Sequence, residues 1–280
     1  MISASEKTSI NQVIRTLELS KGTLYYSKRT YVRRHAFRRK IRSEWLAAVK
    51  TICDDKPTYG IPRVRTLLRR DYGYDLSYYM VYRIMRDEGL LIQRTFPQQR
   101  TKREHTGNIA VEQPNIRWAS DITGIVPWDR DKGRFTYILD CCDRNIIAWR
   151  FNRHIQGCDI EQILQEALYK RFGGELPDGH GVEFLHDNGP EYIEKQLQKT
   201  MEKWNVTDCR TPTYSPQSNG MCEAFNGTFK RDYVYNNCLD DFETVKEQIG
   251  KWVEEYNTFA PHSALKMMTP QEYFNFKMAA

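Results

Sequence analysis

The pattern that most limits how this chain can fold begins at Arg117. Segments 118–123, 135–140 and 146–151 follow in close succession, each rich in β-branched and aromatic residues. Strands spaced so tightly read as an antiparallel meander, because antiparallel neighbours need only short turns. The pattern then switches. A helix is expected over 159–172, a strand over 182–186 ending at Asp187-Asn188-Gly189, a helix over about 190–204, and a short strand over 205–209. Strands grouped first and then alternating with helices specify an α/β fold with a mixed central sheet.

The formal net charge of +6 over 280 residues conceals an uneven distribution. Residues 1–112 carry 23 Lys and Arg against 11 acids, a net +12, whereas 113–280 carry 19 against 25, a net −6. A basic front suggests a nucleic-acid partner, and the acidic back suggests a separate role for its carboxylates. No apolar run of about 18 residues exists, which argues against a membrane span. The opening Met1-Ile2-Ser3-Ala4-Ser5-Glu6-Lys7 lacks the apolar core of a secretory signal, so a cytoplasmic location is expected. Seven scattered cysteines without a Cys-x-x-Cys pair read as buried free thiols rather than a disulfide framework or a zinc site.

Within the front, Ser9-Ile10-Asn11-Gln12 has capping-box spacing and Ser20 can cap a second short helix. Helix, turn and helix in about 18 residues has the dimensions of a helix-turn-helix, and equally of an unrelated helical hairpin. Six positive charges with no acid follow in residues 33–42, and Arg33, Arg34, Arg38, Arg39 and Lys40 are candidate phosphate contacts. Residues 41–94 read as a three-helix module. Ile41, Trp45, Val49 and Ile52 mark its first helix, and Val64, Leu67 and Leu68 its second. Ser77 caps a third, with Met80, Val81, Ile84 and Met85 inward and Gly89 as its stop. The exposed side of that last helix is expected to offer Tyr78, Tyr82, Arg83 and Arg86, joined by Arg63 and Arg65 as DNA-contact candidates. A helical interaction domain is the alternative. Residues 95–112 are polar and unpatterned, as in a linker.

In the back, Asp121 lies on the first strand and Asp187 at the end of the fourth. Either alone reads as a turn former or cap. A turn-rich loop from Thr211 to Gly220 then leads into a helix on which Asn219, Glu223, Asn226 and Lys230 fall within an arc of roughly 60°. Met221, Phe225 and Phe229 occupy the opposite side, as core anchors would.

Together, Trp118-Ala-Ser-Asp121-Ile-Thr, His186-Asp187-Asn-Gly189 and Ser215-Pro-Gln-Ser-Asn-Gly-Met-Cys-Glu223 resemble the Asp, Asp, Glu triad of the DDE, or retroviral integrase-like, transposases. Thirty-five residues separate Asp187 from Glu223, as is usual there. Pro57-Thr-Tyr-Gly-Ile-Pro-Arg-Val, Val81-Tyr-Arg-Ile-Met-Arg-Asp-Glu-Gly-Leu90 and Tyr256-Asn-Thr-Phe-Ala-Pro-His-Ser-Ala-Leu265 narrow the likeness to OrfB-type transposases of the insertion-sequence-three family. Ala260 stands where many members carry Arg, and Asp232 where they often carry Glu.

The resemblance implies a ribonuclease H-like core over 113–275, preceded by small all-α helix-turn-helix-type modules over 1–40 and 41–94. It implies Asp121, Asp187 and Glu223 as catalytic ligands of two Mg²⁺ ions, with Mn²⁺ as a substitute. Asn219 and Lys230 would orient the DNA backbone, and His186 would either support Asp187 or serve as a structural strand-end residue. The implied partners are terminal inverted repeats, target DNA, further copies of the chain, and an upstream-frame product carrying a helix-turn-helix and leucine zipper. An inactive DNA-binding regulator and a general ribonuclease H-like nuclease are the alternative functions.

Overall fold

A computed structural model describes residues 16, 40–92, 110–174, 176, 180–210 and 220–279. The chain divides into two compact units, Met1–Ser43 and Glu44–Ala280. The first helix-turn-helix-like segment, Arg33, Arg34, Arg38, Arg39, Asn219 and most of the expected linker lie outside the described residues.

Three helices open the described chain: α1 (Ser43–Asp55), α2 (Ile61–Tyr72) and α3 (Tyr78–Asp87). Each boundary has a chemical cause. Pro62 sits in the first turn of α2, where its missing N–H costs nothing, and Gly73 ends the helix at φ +70° with its N–H on the Leu68 carbonyl. The Ser77 hydroxyl accepts the Met80 N–H and caps α3. Val49, Ile52, Val64, Leu67, Leu68, Val81, Ile84 and Met85 are all buried, which is the expected apolar seam of the module.

The sheet contains β1 (Arg117–Ile125), β2 (Gly133–Asp140), β3 (Ile146–Asn152), β4 (Val182–His186) and β5 (Val206–Arg210), in the order β3-β2-β1-β4-β5. The first three form the expected antiparallel meander, whereas β4 joins β1, and β5 joins β4, in parallel. Helix α4 (Gly157–Phe172) supplies the first crossover. A 3₁₀ turn (Pro190–Tyr192) followed by α5 (Lys195–Lys203) supplies the second, so the single helix expected over 190–204 is broken before the extended Glu194. The chain continues through α6 (Gly220–Asp232), α7 (Phe242–Thr258) and α8 (Pro270–Met278).

Side chains alternate across β1 and so feed two cores. Trp118 packs with Ile160, Leu164 and Leu197 of α4 and α5. Ala119 packs on the other face with Cys222, Phe225 and Phe229 of α6 and Val245, Ile249 and Trp252 of α7. The cysteines follow burial only in part: Cys53, Cys141, Cys142 and Cys222 are buried free thiols and Cys209 is half-buried, but Cys158, in the first turn of α4, and Cys238, ahead of α7, are exposed.

The helical module contacts the C-terminal helices through cations. Lys56 pairs with Glu255 of α7 at 2.8 Å, and Arg63 pairs with Asp232 of α6 at 2.6 Å. Arg70 lies over the Phe259 ring at 4.3 Å and donates to the Phe259 carbonyl.

A buried polar knot closes the β2–β3 turn. The Asp140 carboxylate accepts main-chain N–H bonds from Asn115, Cys142 and Asp143 and the indole N–H of Trp118. Beside it, Asp143 accepts from Arg171 of α4 at 3.1 Å, and the same guanidinium lies 4.0 Å over the Phe274 ring of α8. Burial first, and then the Asp140 charge, push the Asp143 carboxyl up to about 7 against the pull of Arg171. Replacing Arg171 with Met would leave a buried acid without its counter-charge. Urea denaturation is expected to register a loss of about 3–5 kcal/mol. A loss below about 1 kcal/mol would show that the aromatic and apolar contacts hold this corner without the ion pair.

Candidate active site

Strand register brings the two candidate aspartates together. The last paired positions of the parallel β1–β4 ladder are Ala119 and Leu185. Asp121, in the middle of β1, and Asp187, just past the end of β4, each lie two residues further on, where the parallel ladder stops at the C-terminal edge of β4; neighbouring strands run about 4.8 Å apart. In open α/β sheets this edge is where ligands bind. Asp121 shares the Ala119 face of the sheet, the face covered by α6, and Glu223 stands in the first turn of that helix.

A chain of hydrogen bonds holds Asp121. Asn226 of α6 donates from Nδ2 to Asp121 Oδ2 at 2.7 Å, and Tyr137 donates its hydroxyl to Asn226 Oδ1 at 3.0 Å. Tyr137 is the cross-strand partner of Asp121 in the β1–β2 ladder. Its hydroxyl fixes which way the Asn226 amide points, and the amide fixes the carboxylate. Burial raises the Asp121 pKa above the ordinary carboxylate value. The charges of Asp187 and Glu223 push the same way, while the Asn226 bond and the Ile122 N–H oppose them. All three acids therefore share one electrostatic neighbourhood. Lys230, one turn beyond Asn226, has its pKa lowered by burial, and the Asp121 charge partly offsets that shift.

Asp187 and Glu223 are exposed, and the Asp187 Oδ1 accepts the Gly189 N–H at 3.0 Å within the turn. Among the described residues no three His, Cys, Asp or Glu side chains close into a metal cage. The donor chemistry is nonetheless selective: carboxylate oxygens supply the hard ligands that Mg²⁺ takes, few in number and supplemented by water.

His186 is fully buried and turned away from this edge. Its Nδ1 meets the Asp187 carbonyl at 2.6 Å, its Nε2 meets Asp208 at 2.9 Å, and its ring stacks on Tyr192 at 4.5 Å. It is a structural residue that braces the turn carrying Asp187.

The DNA-contact candidates separate into distinct environments. On α3, Tyr78 and Tyr79 are well exposed, and Arg86 is exposed beside Tyr82, with its guanidinium 5.7 Å from that ring. Lys40 is exposed as well. Arg83 departs from the expected exposed face: its side chain is only 10% exposed and reaches Asp87 at 3.9 Å. Its position one turn after Met80 sets it at the margin of the apolar stripe, where its stem packs inward. Arg63 is occupied by Asp232 and lies 4.8 Å over the Tyr59 ring, and is not presented to solvent as the sequence suggested. Arg65 remains partly exposed while its Nε donates to the Leu76 carbonyl. Tyr137 was not singled out from the sequence, although counting back through the β1–β2 hairpin would have placed it opposite Asp121.

A mixed five-stranded sheet flanked by helices, with acids at the edge of its central parallel pair and a helical module ahead of it, defines an integrase-type ribonuclease H-like protein. Comparison with known proteins agrees. Residues 40–97 match the HTH-like domain family, and residues 111–216 and 205–270 match two integrase core domain families. The chain is 35% identical over 237 residues to the transposase InsD of insertion element IS2 from Escherichia coli, covering 81% of this chain and 77% of that one. It is 41% identical over 180 residues to an uncharacterized protein of insertion element IS136 from Agrobacterium fabrum, covering 64% and 92%. A structure of the HTLV-2 integrase catalytic core domain in complex with magnesium is similar at 16% identity and TM-score 0.44, covering 58% of this chain and 97% of that one. The chain belongs to the insertion-sequence-three family of DDE-superfamily transposases, and is a transposase of an insertion element.

The role of His186 is open to direct measurement. His186→Phe preserves the ring stack on Tyr192 but removes both hydrogen bonds. A stability loss of about 1–3 kcal/mol in urea melts is expected; an unchanged midpoint would mean that the two bonds contribute nothing to the turn.

Proposed function

We propose that this transposase binds the terminal inverted repeats of its element and catalyses Mg²⁺-dependent 3′-end cleavage and strand transfer, with Asp121, Asp187 and Glu223 as the catalytic carboxylates. The observation that carries this reading is the parallel β1–β4 register. It sets Asp121 beside Asp187 on the face covered by the helix that bears Glu223.

Asp121, Asp187 and Glu223 would hold two Mg²⁺ ions, with Mn²⁺ as a substitute. Such ions, when bound, screen the phosphate and stabilise both the attacking and the leaving oxygen of an in-line displacement. The chain's own residues prepare the site. Asn226 and Tyr137 hold the Asp121 carboxylate in one orientation, so no reorganisation is needed when the scissile phosphate arrives. Lys230 places a cation on the same helix face, suited to a neighbouring phosphate. Tyr78, Tyr79, Tyr82 and Arg86 offer an aromatic and basic helix face to the duplex.

The reaction proceeds by two displacements at phosphorus. In the first, water attacks at one element end, forming one P–O bond and breaking another to release a 3′-OH. That hydroxyl then attacks the same strand beyond the other end, again exchanging one P–O bond for another. The circular intermediate later inserts into target DNA by the same chemistry. Bringing two ends together requires more than one copy of the chain, and an upstream-frame product with a leucine zipper fits as an additional partner.

Asp121→Asn, Asp187→Asn and Glu223→Gln are each expected to lower cleavage and strand transfer by about 100- to 1,000-fold or more, while binding to the element's ends survives. Mobility shifts and cleavage assays on end-bearing duplexes check this in parallel. Equal loss of binding would reassign the acids to structure or DNA contact. Cut ends that never become joined to DNA would mark a nuclease rather than a transposase.

A further inference from the structure

The contact between Arg63 and Asp232 contradicts the local preferences of both helices that carry it. Arg63 stands in the first turn of α2, at the positive end of the helix dipole, where a cation is disfavoured. Asp232 is the last residue of α6, at the negative end, where an acid is disfavoured. Asp232 is also buried, with its side chain only 4% exposed. Burial works to raise its pKa, but hydrogen bonds from Arg231 and Arg63 and their charges overcome this and hold the carboxyl below the ordinary value. Each residue is therefore poorly placed for its own helix and well placed for the other. Conflicts of this kind are expected where a position is held for function.

The surroundings give the pair leverage. Helix α6 carries Glu223 in its first turn, then Asn226 and Lys230, and ends at Asp232. Lys56, Arg63 and Arg70 recur at intervals of seven residues, and all three reach across to α6, α7 or the residue that ends α7. Buried hydroxyls of Tyr59 and Tyr233 and the His262 Nε2 have no hydrogen-bond partner among the described residues. Burial of Tyr59, Tyr233 and His262 is the main cause of their pKa shifts, and the Arg63 or Asp232 charge contributes to each. The junction is polar, and of the three cation contacts the Arg63–Asp232 pair is the one that reaches α6.

We infer that the Arg63–Asp232 pair fixes the placement of α6 against the helical module, making both positioning residues for phosphoryl transfer. The inference rests on the reading of Glu223 as a catalytic carboxylate.

The test compares the full chain with Arg63→Gln, Asp232→Asn and the exchanged pair Arg63→Glu with Asp232→Arg. The exchange puts an acid at the start of α2 and a base at the end of α6, which suits both dipoles. Each single variant is expected to slow single-turnover cleavage of end-bearing duplexes by about 10- to 100-fold, the scale of a misplacement of about 1 Å. End binding should be little changed, and the exchanged pair should recover most of the lost rate. In the DNA-free protein, hydrogen exchange at α6 amides should quicken in the single variants while β2 amides stay protected. Arg63→Gln leaves Asp232 paired with Arg231 and serves if Asp232→Asn fails to fold. Unchanged α6 exchange in a folded single variant would overturn the inference, as would loss of end binding parallel to loss of cleavage, which would make Arg63 a DNA contact. A folded exchanged pair as slow as the single variants would also overturn it. Wild-type protein that cleaves nothing would sink the transposition reading alone, since the exchange measurement still decides whether the pair fastens α6.

Discussion

The parallel pairing of β1 with β4 is the constraint on which the rest of the molecule depends. Parallel neighbours cannot be joined by a tight turn, so the chain must complete the meander, cross the sheet through α4 and return. That crossover covers the Trp118 face and leaves the Ala119 face for α6 and α7. Register then does the rest: once Ala119 and Leu185 are paired, Asp121 and Asp187 emerge at the same edge, and α6 is the helix positioned to complete the group. A one-residue slip would turn Asp121 to the opposite face, towards α4 and α5 and away from the helix that bears Glu223.

The site pairs an anchored carboxylate with two exposed ones. Asp121 is held by Asn226 and backed by Tyr137 from the adjoining strand, whereas Asp187 and Glu223 are exposed at the start of a turn and in the first turn of a helix. A half-buried carboxylate with a raised pKa beside two other acids stores electrostatic tension that a divalent cation would relieve.

Much of this was legible in the sequence because periodicity reports burial directly. Runs of β-branched and aromatic residues marked the strands of the meander, and Ser77 and Gly89 marked the ends of α3 through backbone chemistry that operates locally. Met221, Phe225 and Phe229 fell on one helix face, and that face is buried. What escaped depends on partners distant in the chain. Tyr137 matters only because the hairpin register sets it opposite Asp121. Arg83 is drawn inward by its place beside the apolar stripe of α3, and Arg63 by an acid 169 residues away. Charge counting marks a cation without saying which anion it meets.

That distinction alters what the basic front signifies. The net charge of +12 over residues 1–112 suggested a nucleic-acid partner for the front of the chain. Yet Lys56, Arg63 and Arg70 are engaged by Glu255, Asp232 and Phe259, and part of the module's charge is directed at the acidic half of its own chain. Tyr78 and Tyr79 of α3 stay exposed, and the exposed Arg86 is held by Asp87 of its own helix at 2.6 Å. Complementary charge within the chain and complementary charge towards DNA draw on the same residue types, and burial separates the two uses. A half-buried Arg aimed at a buried Asp belongs to the architecture, whereas the exposed rings of Tyr78 and Tyr79 face solvent.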